Sequence, residues 1–131
     1  MLALKKLHTC WFPESFLKYK QKIDLMKLCN LNQVLNWRLI YKASVDGFAS
    51  TDFHAKCDGF EGTLVVVKTT DAFIFGGYTE AAWSQSGGYK KDRKAFIFSL
   101  ENNDEPLVIP CVKSQCAIYC HVAYGPTFGD G

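Results

Sequence analysis

The residue types that most often hold a metal ion lie close together near the end of the chain. They are Cys111, Cys116, Cys120 and His121. Zinc binds such side chains in tetrahedral sites with bonds of about 2.0 to 2.3 Å. Residues 117–124 favour a strand. In an extended segment Cys116 and Cys120 would share a face but lie about 13 Å apart, and His121 would point to the opposite face. His54 and Cys57, one helical turn apart, could supply two ligands, but no second pair complements them. The sequence predicts no metal site.

Nucleophilic catalysis needs a side chain activated by a nearby base. The chain has no G-x-S-x-G sequence, and its three histidines are scattered. Six cysteines would permit three disulfides in a secreted domain, but without an export signal we expect free, mostly buried thiols. A thiol-based antioxidant enzyme remains the alternative, because Lys56 beside Cys57 and Lys113 near Cys111 could lower a thiol pKa. We predict no catalytic residues and no cofactor.

Two glycine pairs, Gly76-Gly77 and Gly87-Gly88, raise the question of a phosphate cradle. Such a cradle needs a glycine-rich turn that opens a helix, with a lysine and a hydroxyl at fixed offsets. Neither pair has that context. In "FIFGGYT" the glycines instead indicate a bulge, or a place where another backbone or a large ring packs closely.

The stretch "EAAWSQSGGYKKDRK", residues 80–94, reads as a long connection that carries Trp83, Tyr89 and four basic residues. An aromatic and basic loop can anchor a partner protein. Alternatively, Trp83 folds back as a lid on the core, because large aromatic side chains are usually mostly buried. Since Asp92 is interspersed among the cations, the charge run itself is typical of a solvated face.

Composition and charge exclude several classes. A chain of 131 residues with 48% hydrophobic and 21% charged residues is typical of one folded domain rather than of disorder. The net charge of +2 indicates neither nucleic-acid nor anionic-membrane binding. No apolar run reaches the ~18 residues of a membrane span, and Lys5 and Lys6 interrupt any signal peptide. We expect a cytoplasmic protein.

The first half of the chain predicts two helices and a strand. Residues 14–35 favour a helix with Phe16, Tyr19, Ile23 and Met26 at helical spacing, whereas residues 1–12 fit no element. Residues 37–44 alternate as a half-buried strand that places Trp37, Leu39, Tyr41 and Ala43 on one face. A short helix follows, with Ser50 as its N-cap, Asp52 in its first turn and Gly59 just past its end. Phe53 and Cys57 should face the core together.

From Thr63 onward the pattern is that of strands. Five segments rich in β-branched and aromatic residues are "TLVVVKT", "AFIFGGYT", "AFIFSL", "PLVIPCV" and "AIYCHVAYG". Their short connectors favour antiparallel hairpins, because a parallel crossover needs a dozen or more residues. Segments such as "FIF" are apolar on both faces and should be covered on both sides. The predicted class is α+β, mainly β, with two antiparallel layers flanked by short helices.

Several of these segments, in this order, resemble the TLDc domain of oxidation-resistance proteins. They are "WRLIYKASVDGF", "FHAKCDG", "TLVVVKT", "FIFGGYTEAAW", "YKKDRKAFIFSL" and "YGPTFGDG". The resemblance implies an antiparallel β-sandwich, protection from oxidative damage, and binding to the vacuolar-type proton-pumping ATPase, with no established catalytic centre or cofactor. It divides the chain into a lead, residues 1–22, and a TLDc-like domain, residues 23–131.

The family's signature maps onto a set of residues that we treat as structural identifiers first: Asp58, Gly59, Gly76, Gly77, Tyr78, Thr79, Trp83, Asp92, Gly125, Pro126, Phe128 and Gly129. Glu80 and Tyr89 join them as candidate partner-binding residues. TLDc domains continue beyond the "GPTFG" block, so the sequence also predicts a domain that is incomplete at its C-terminal end. A truncated fragment with no independent function is therefore a further alternative. A sheet without its closing strands would expose an apolar face.

Overall fold

The computed structural model describes residues 1–7, 17–31 and 36–130. Within these ranges the elements are β1 (Leu2–Leu7), α1 (Tyr19–Leu28), β2 (Asn36–Lys42), α2 (Ala43–Asp46), α3 (Ser50–Cys57), β3 (Thr63–Lys68), β4 (Ile74–Thr79), β5 (Gly88–Lys90), β6 (Phe96–Glu101), β7 (Leu107–Pro110), a 3-10 helix (Ser114–Cys116), β8 (Ile118–Cys120) and β9 (Thr127–Phe128). None of the described helices has the length and apolar character needed to cross a membrane.

The strands form two antiparallel sheets. A six-stranded sheet has the order β2-β1-β3-β4-β6-β7, and a three-stranded sheet has the order β5-β8-β9. Neighbouring strands in both sheets run antiparallel. The predicted α+β, mainly β class and the predicted antiparallel pairing are confirmed.

One face of the six-stranded sheet is covered by α1. Leu64, Val66 and Ile74 point to this face from β3 and β4 and are completely buried. α1 adds Leu25 and Met26 to the same cluster. Because burying an aliphatic side chain of this size stabilises the fold by about 1.5 to 3 kcal/mol, the contact with the sheet holds this helix in place.

The opposite face of the six-stranded sheet is covered only in part. α3 contributes Phe53 and Cys57, and the three-stranded sheet contributes Ile118 and Cys120, to one cluster with Val65 of β3. The two sheets therefore share a core, as two β layers must. On this face Phe75 of β4, Ile97 of β6 and Ile109 of β7 are exposed, so the expectation that "FIF" is buried on both sides holds for one side only.

The prediction that residues 1–12 fit no element is wrong for Leu2–Leu7. This segment is β1, and it lies inside the sheet between β2 and β3. Leu2, Ala3 and Leu4 are buried, because the two faces of β1 meet the two separate clusters. This strand was not recognised because Lys5 and Lys6 interrupt the apolar pattern of "LALKKL". The domain boundary proposed after residue 22 stays a prediction.

The strand predicted at residues 37–44 is shorter and less regular than expected. The pairing with β1 shifts between Ala3 and Leu4, which places two steps of β2 opposite one step of its partner. As a result, Trp37 joins the cluster under α1 while Tyr41 joins the cluster under α3, so they do not share a face. Ala43 begins α2 rather than continuing the strand.

The predicted helices are present with corrected ends. The helix predicted over 14–35 is Tyr19–Leu28. Phe16, which was predicted to lie on its apolar face, is outside the described residues. Tyr19 is exposed rather than on the core face. α3 begins after Ala49, so Ser50 is its first residue and not its N-cap. The carboxylate of Asp52 accepts a hydrogen bond from the Ala49 backbone N–H at 3.1 Å, which replaces the predicted cap.

Two other predicted segments are subdivided in the structure. The strand predicted at 117–125 is confined to Ile118–Cys120, and the chain turns at residues 122–123. Cys116 lies in the 3-10 helix, so it does not share a strand with Cys120. The long connection predicted at 80–94 contains β5, which joins the three-stranded sheet.

Candidate functional site

The paired glycines of β4 are sites of close packing. A Cβ on Gly76 would overlap the backbone carbonyl oxygen of Val65. A Cβ on Gly77 would lie 2.7 Å from the ring of Phe128, closer than real Cβ atoms approach. The predicted approach of a backbone and of a large ring is confirmed. The space above Gly77, where a phosphate would have to lie, is filled by that ring.

Trp83 is a core residue. Its side chain is 1% exposed, and its indole N–H donates a hydrogen bond to Thr63 Oγ1 at 2.8 Å. The rings of Phe53 and Phe128 meet it edge to face, with centroids 5.5 and 5.6 Å away. Of the two alternatives for this residue, the structure shows the lid on the core.

Asp58 and Gly59 connect the end of α3 to Trp83. Asp58 forms a parallel bridge with Trp83, and the Gly59 N–H donates to the Trp83 carbonyl oxygen at 3.0 Å. Gly59 has φ +81°, a conformation that favours glycine, and it lies just past the helix end as predicted. These two signature residues position the tryptophan backbone.

Asp92 organises the loop that follows β5. The residue is 7% exposed, and its Oδ2 accepts hydrogen bonds from Thr79 Oγ1 and from the Glu80 N–H, both at 2.7 Å. Its Oδ1 accepts from the Lys94 N–H at 2.8 Å, and its own N–H donates to the Ser114 carbonyl oxygen. The carboxylate therefore points into the protein. The prediction that Asp92 belongs to a solvated charged face is wrong.

Tyr78 and Glu80 form a neighbouring pair. The Tyr78 hydroxyl donates to Glu80 Oε1 at 3.0 Å, and its ring stacks on Phe96 with centroids 5.3 Å apart. Burial, followed by the hydrogen bond to Glu80, raises the pKa of Tyr78. The phenol therefore stays protonated and acts as a hydrogen-bond donor within the fold.

His54 joins α3 to the turn after β8. Its Nδ1 lies 2.6 Å from Asp58 Oδ1, and its Nε2 lies 2.9 Å from the carbonyl oxygens of His121 and Tyr124. A neutral imidazole has one N–H only, so a ring protonated on both nitrogens fits these acceptors. Burial lowers the pKa of His54, but the hydrogen bonds to Asp58 and to the two carbonyls outweigh burial and hold the pKa above its ordinary value of 6.5.

Sequence analysis considered His54 only as a metal ligand and missed this role. Both ring nitrogens are occupied by the contacts above, so neither faces an open coordination position. Among the described residues, no group of three or more His, Cys, Asp or Glu side chains could hold a metal ion. The spacing of His54 and Asp58, four residues apart on one predicted helix, is the signal that could have revealed the pair.

The cysteines of the described ranges are free thiols in protected positions. Cys29, Cys57 and Cys120 are buried, while Cys111 and Cys116 are partly buried; Cys10 lies outside the described residues. Burial, followed by the charges of Asp58 and Asp46, raises the pKa of the Cys57 thiol to about 12. The neighbouring Lys56 forms an ion pair with Asp46 at 3.4 Å instead of activating the thiol. These surroundings disfavour the thiolate form of Cys57, so they do not support the hint of a reactive thiol there.

Four aromatic rings lie side by side on the outer face of the three-stranded sheet. Tyr89 and Tyr119 are directly paired across β5 and β8, with ring centroids 4.8 Å apart. Tyr119 stacks with His121 at 6.1 Å, and His121 lies 5.3 Å from Tyr124. Tyr89 and Tyr124 are 50% and 54% exposed. Of these four residues, sequence analysis singled out Tyr89 as a partner-binding candidate. It missed Tyr124 because it extended β8 through the turn.

A second exposed surface is apolar. Phe75, Ile97, Leu107 and Ile109 are each between 42% and 48% exposed, and strand pairing places all four on one face of β4, β6 and β7. With Phe128, they line a groove of about 480 Å³. Phe75, which is part of "FIFGGYT", was not singled out as a surface residue. The predicted exposed apolar face is present.

Comparison with models of known protein families identifies the family of this chain. The model of the TLDc domain matches residues 12–131. The chain belongs to the TLDc family.

Relatives of this TLDc domain include longer proteins named MTOR-associated protein MEAK7. The Xenopus laevis protein is 29% identical over 86 residues, which is 60% of this chain, and the Gallus gallus protein is 30% identical over 64 residues, which is 49%. The Danio rerio protein is 28% identical over 64 residues. The matched parts cover 14% to 18% of these relatives' length. The comparison with solved structures found no match.

The remaining TLDc signature residues lie around β9. Pro126 and Phe128 line the apolar groove. Gly125 accepts a hydrogen bond from Thr127 Oγ1 through its carbonyl oxygen at 3.2 Å, and the Gly129 N–H donates to the Ala117 carbonyl oxygen at 2.9 Å. The Gly129 contact extends the antiparallel pairing of β9 with β8. The structure thus brings Gly77, Trp83 and Phe128 together, whereas Tyr89 lies apart on the outer face of the three-stranded sheet.

Proposed function

We propose that this TLDc domain is a non-catalytic protein-interaction module. It acts in the cytoplasm, in protection from oxidative stress or in regulation of the vacuolar-type proton-pumping ATPase, whose subunits it binds. The observation that carries the proposal is the family match over residues 12–131. The name of the relatives, MTOR-associated protein, describes association with another protein and supports a binding role.

The way in which the signature residues are used supports a non-catalytic role. Trp83 and Asp92 are buried, and their polar atoms are hydrogen-bonded within the protein. Gly77 is in contact with Phe128. A catalytic group must reach its substrate, and a nucleophile must be activated by its surroundings. Cys57 is instead buried, and its thiol pKa is raised to about 12.

The exposed surfaces support protein binding. Contiguous apolar side chains and clustered tyrosines are the features that distinguish interaction sites from the rest of a protein surface. This TLDc domain has both, on the uncovered part of the six-stranded sheet and on the outer face of the three-stranded sheet.

The test measures binding of the immobilised chain to the purified cytosolic sector of the proton pump by biolayer interferometry. We expect saturable binding with a dissociation constant at or below about 10 µM, as for transient interfaces. A parallel measurement replaces the pump with purified mTOR complex. Saturable binding to the mTOR complex alone would contradict the assignment of the pump as partner. No saturable binding to either at about 100 µM would contradict the interaction module.

A further inference from the structure

The loop after β5 exposes positively charged side chains. Asp92, which lies among them in the sequence, does not pair with them at the surface. Asp92 points inward and is held by Thr79, Glu80 and Lys94 through the hydrogen bonds described above. Its neighbours Lys91 and Arg93 are exposed, and neither forms an ion pair within 4.0 Å with a described residue. The buried carboxylate therefore fixes the loop while these two cations face solvent.

A third cation is brought to the same place by the fold. The Asp92 N–H donates to the Ser114 carbonyl oxygen at 2.8 Å, so the loop lies against the start of the 3-10 helix. Lys113 immediately precedes that helix and is exposed. The ion pair with Asp130 at 3.0 Å is the main cause of the raised pKa of Lys113, and Tyr89 contributes to it. Lys113 thus lies beside the loop that carries Lys91 and Arg93, with its ammonium paired to Asp130.

Aromatic rings continue this charged region. Tyr89 lies on β5, two residues before Lys91, which is the first residue of the loop, and the Tyr89 ring packs against Tyr119. Exposed tyrosines contribute a large contact area with little loss of side-chain entropy, together with a hydroxyl donor. We name the set Tyr89, Lys91, Arg93, Lys113 and Tyr119 the basic–aromatic surface.

We propose that the basic–aromatic surface binds an extended acidic segment of a protein partner. Carboxylates of the segment pair with Lys91 and Arg93, and an apolar or aromatic side chain rests on Tyr89 and Tyr119. The inference rests on the proposed function as an interaction module, and it adds the chemistry of the partner. Charge complementarity at such a surface raises association rates and selects among partners.

The observations favour a peptide over a nucleic acid or a lipid surface. The whole chain carries a net charge of only +2, and nucleic-acid binding uses longer basic stripes that follow the phosphate backbone. Membrane-surface binding combines cations with side chains that insert among the lipid tails, typically Trp, Phe and Leu. The basic–aromatic surface instead contains two tyrosines and an arginine, residue types that protein interfaces favour, together with two lysines.

The experiment measures fluorescence anisotropy of a fluorescein-labelled peptide with four repeats of glutamate, glutamate and tyrosine. The chain should bind this peptide, and binding should weaken as sodium chloride is raised. In the double variant Lys91→Glu/Arg93→Glu the affinity should fall at least about ten-fold. In Tyr89→Ala it should fall about three-fold to ten-fold, because the side chain loses its contact area.

The matched control reverses two lysines on the other face of the six-stranded sheet. Lys18→Glu/Lys20→Glu makes the same change in net charge at exposed positions at the start of α1. Acidic residues are compatible with a helix N-terminus, so this variant should fold. Its affinity for the peptide should stay within about two-fold of wild type, since the two lysines lie far from β5. Thermal unfolding of every variant verifies that the fold is intact.

Labelled polyuridine and vesicles containing phosphatidylserine are the competing ligands. The proposal is overturned if wild type does not bind the acidic peptide, or if Lys91→Glu/Arg93→Glu binds it as wild type does. It is also overturned if the RNA or the vesicles bind more tightly than the peptide and lose binding in that variant. If the pump binds wild type and Lys91→Glu/Arg93→Glu equally, the interaction module stands and the acidic-segment proposal fails.

Discussion

His54 and Asp92 stabilise the protein through charge that is kept away from solvent. The imidazole of His54 connects α3 to the turn at residues 121–124, and the carboxylate of Asp92 connects β4 to the loop after β5. Hydrogen bonds to an ionised partner are stronger than neutral ones, and a buried charge without partners is costly. Both residues therefore determine which surfaces their loops present.

The stability of the chain should depend on pH through His54. A group whose pKa is raised by folding stabilises the protein fully below its ordinary pKa, 6.5 here, and this stabilisation is lost as pH rises through the higher folded pKa. The free energy of unfolding, measured by urea denaturation from about pH 6 to about pH 9, should therefore decrease further in wild type than in His54→Gln. The variant cannot gain or lose the proton. A constant difference between the two proteins over this range would contradict a protonated His54.

Substitution of Gly77 should show that its missing side chain is a packing requirement. A methyl group in Gly77→Ala would press on the Phe128 ring 2.7 Å away, and such overpacking costs about 1 to 3 kcal/mol. Gly88→Ala is the matched control, because a Cβ there meets no atom within 4 Å and its φ is not positive. Chemical denaturation of both variants gives the comparison. Equal stability of the two would mean that β9 moves aside freely.

The strands whose side chains are mostly apolar were predictable from the sequence, whereas the features that depend on tertiary contacts were not. β3, β4 and β6 were located because β-branched and aromatic residues dominate them. β1 was missed because its interior position depends on pairing with β2 and β3, which a single segment cannot show. The bulge between Leu39 and Tyr41 of β2 was missed for the same reason, since alternation alone assumes a regular ladder.

The roles of the residues in the candidate site were likewise predictable from the sequence only in part. The packing role of Gly76 and Gly77 followed from their position inside a strand. The roles of His54 and Asp92 could not be predicted from the sequence. The carbonyl partners of His54 lie 67 and 70 residues away in the chain, and the Asp92 carboxylate binds residues 12 and 13 positions away. The surface formed by Tyr89, Tyr119 and Tyr124 could not be predicted before β5 and β8 were known to pair.

The interior position of β1 predicts a strong effect of substitution near the N-terminus. Leu4→Ala removes a completely buried side chain from the cluster under α1, which should cost about 2 to 5 kcal/mol. Leu107→Ala makes the same chemical change at a side chain that is 43% exposed, and should cost less than about 0.5 kcal/mol. Urea denaturation measures both. A small effect of Leu4→Ala would mean that β1 is not part of the stable core.

The two faces of the six-stranded sheet are covered to different extents. α1 covers one face of the six-stranded sheet, while α3 and the three-stranded sheet cover the part of the other face that includes Ala3 of β1, Val65 of β3 and Gly77 of β4. Phe75, Ile97 and Ile109 remain in contact with solvent. An apolar surface of this kind promotes association of protein molecules in solution.

Self-association of the chain should accordingly depend on the apolar face. Phe75→Ser should lower the fluorescence of the dye ANS and reduce the apparent mass at high concentration, because it removes apolar area that solvent can reach. Phe48→Ser is the control, since Phe48 is 80% exposed and lies outside this face, just after α2. Analytical ultracentrifugation compares the two variants. If Phe48→Ser suppressed association as strongly, the groove lined by Phe75 would not be the cause.

The contacts of Phe128 also constrain how the protein emerges from the ribosome. Its ring covers Gly77 and meets Trp83 edge to face, so a residue synthesised late completes packing between segments made much earlier. The tryptophan and the strand beneath it stay incompletely covered until translation has passed position 128. A nascent chain stalled before that codon would display these surfaces to chaperones and proteases, as partly folded chains generally do.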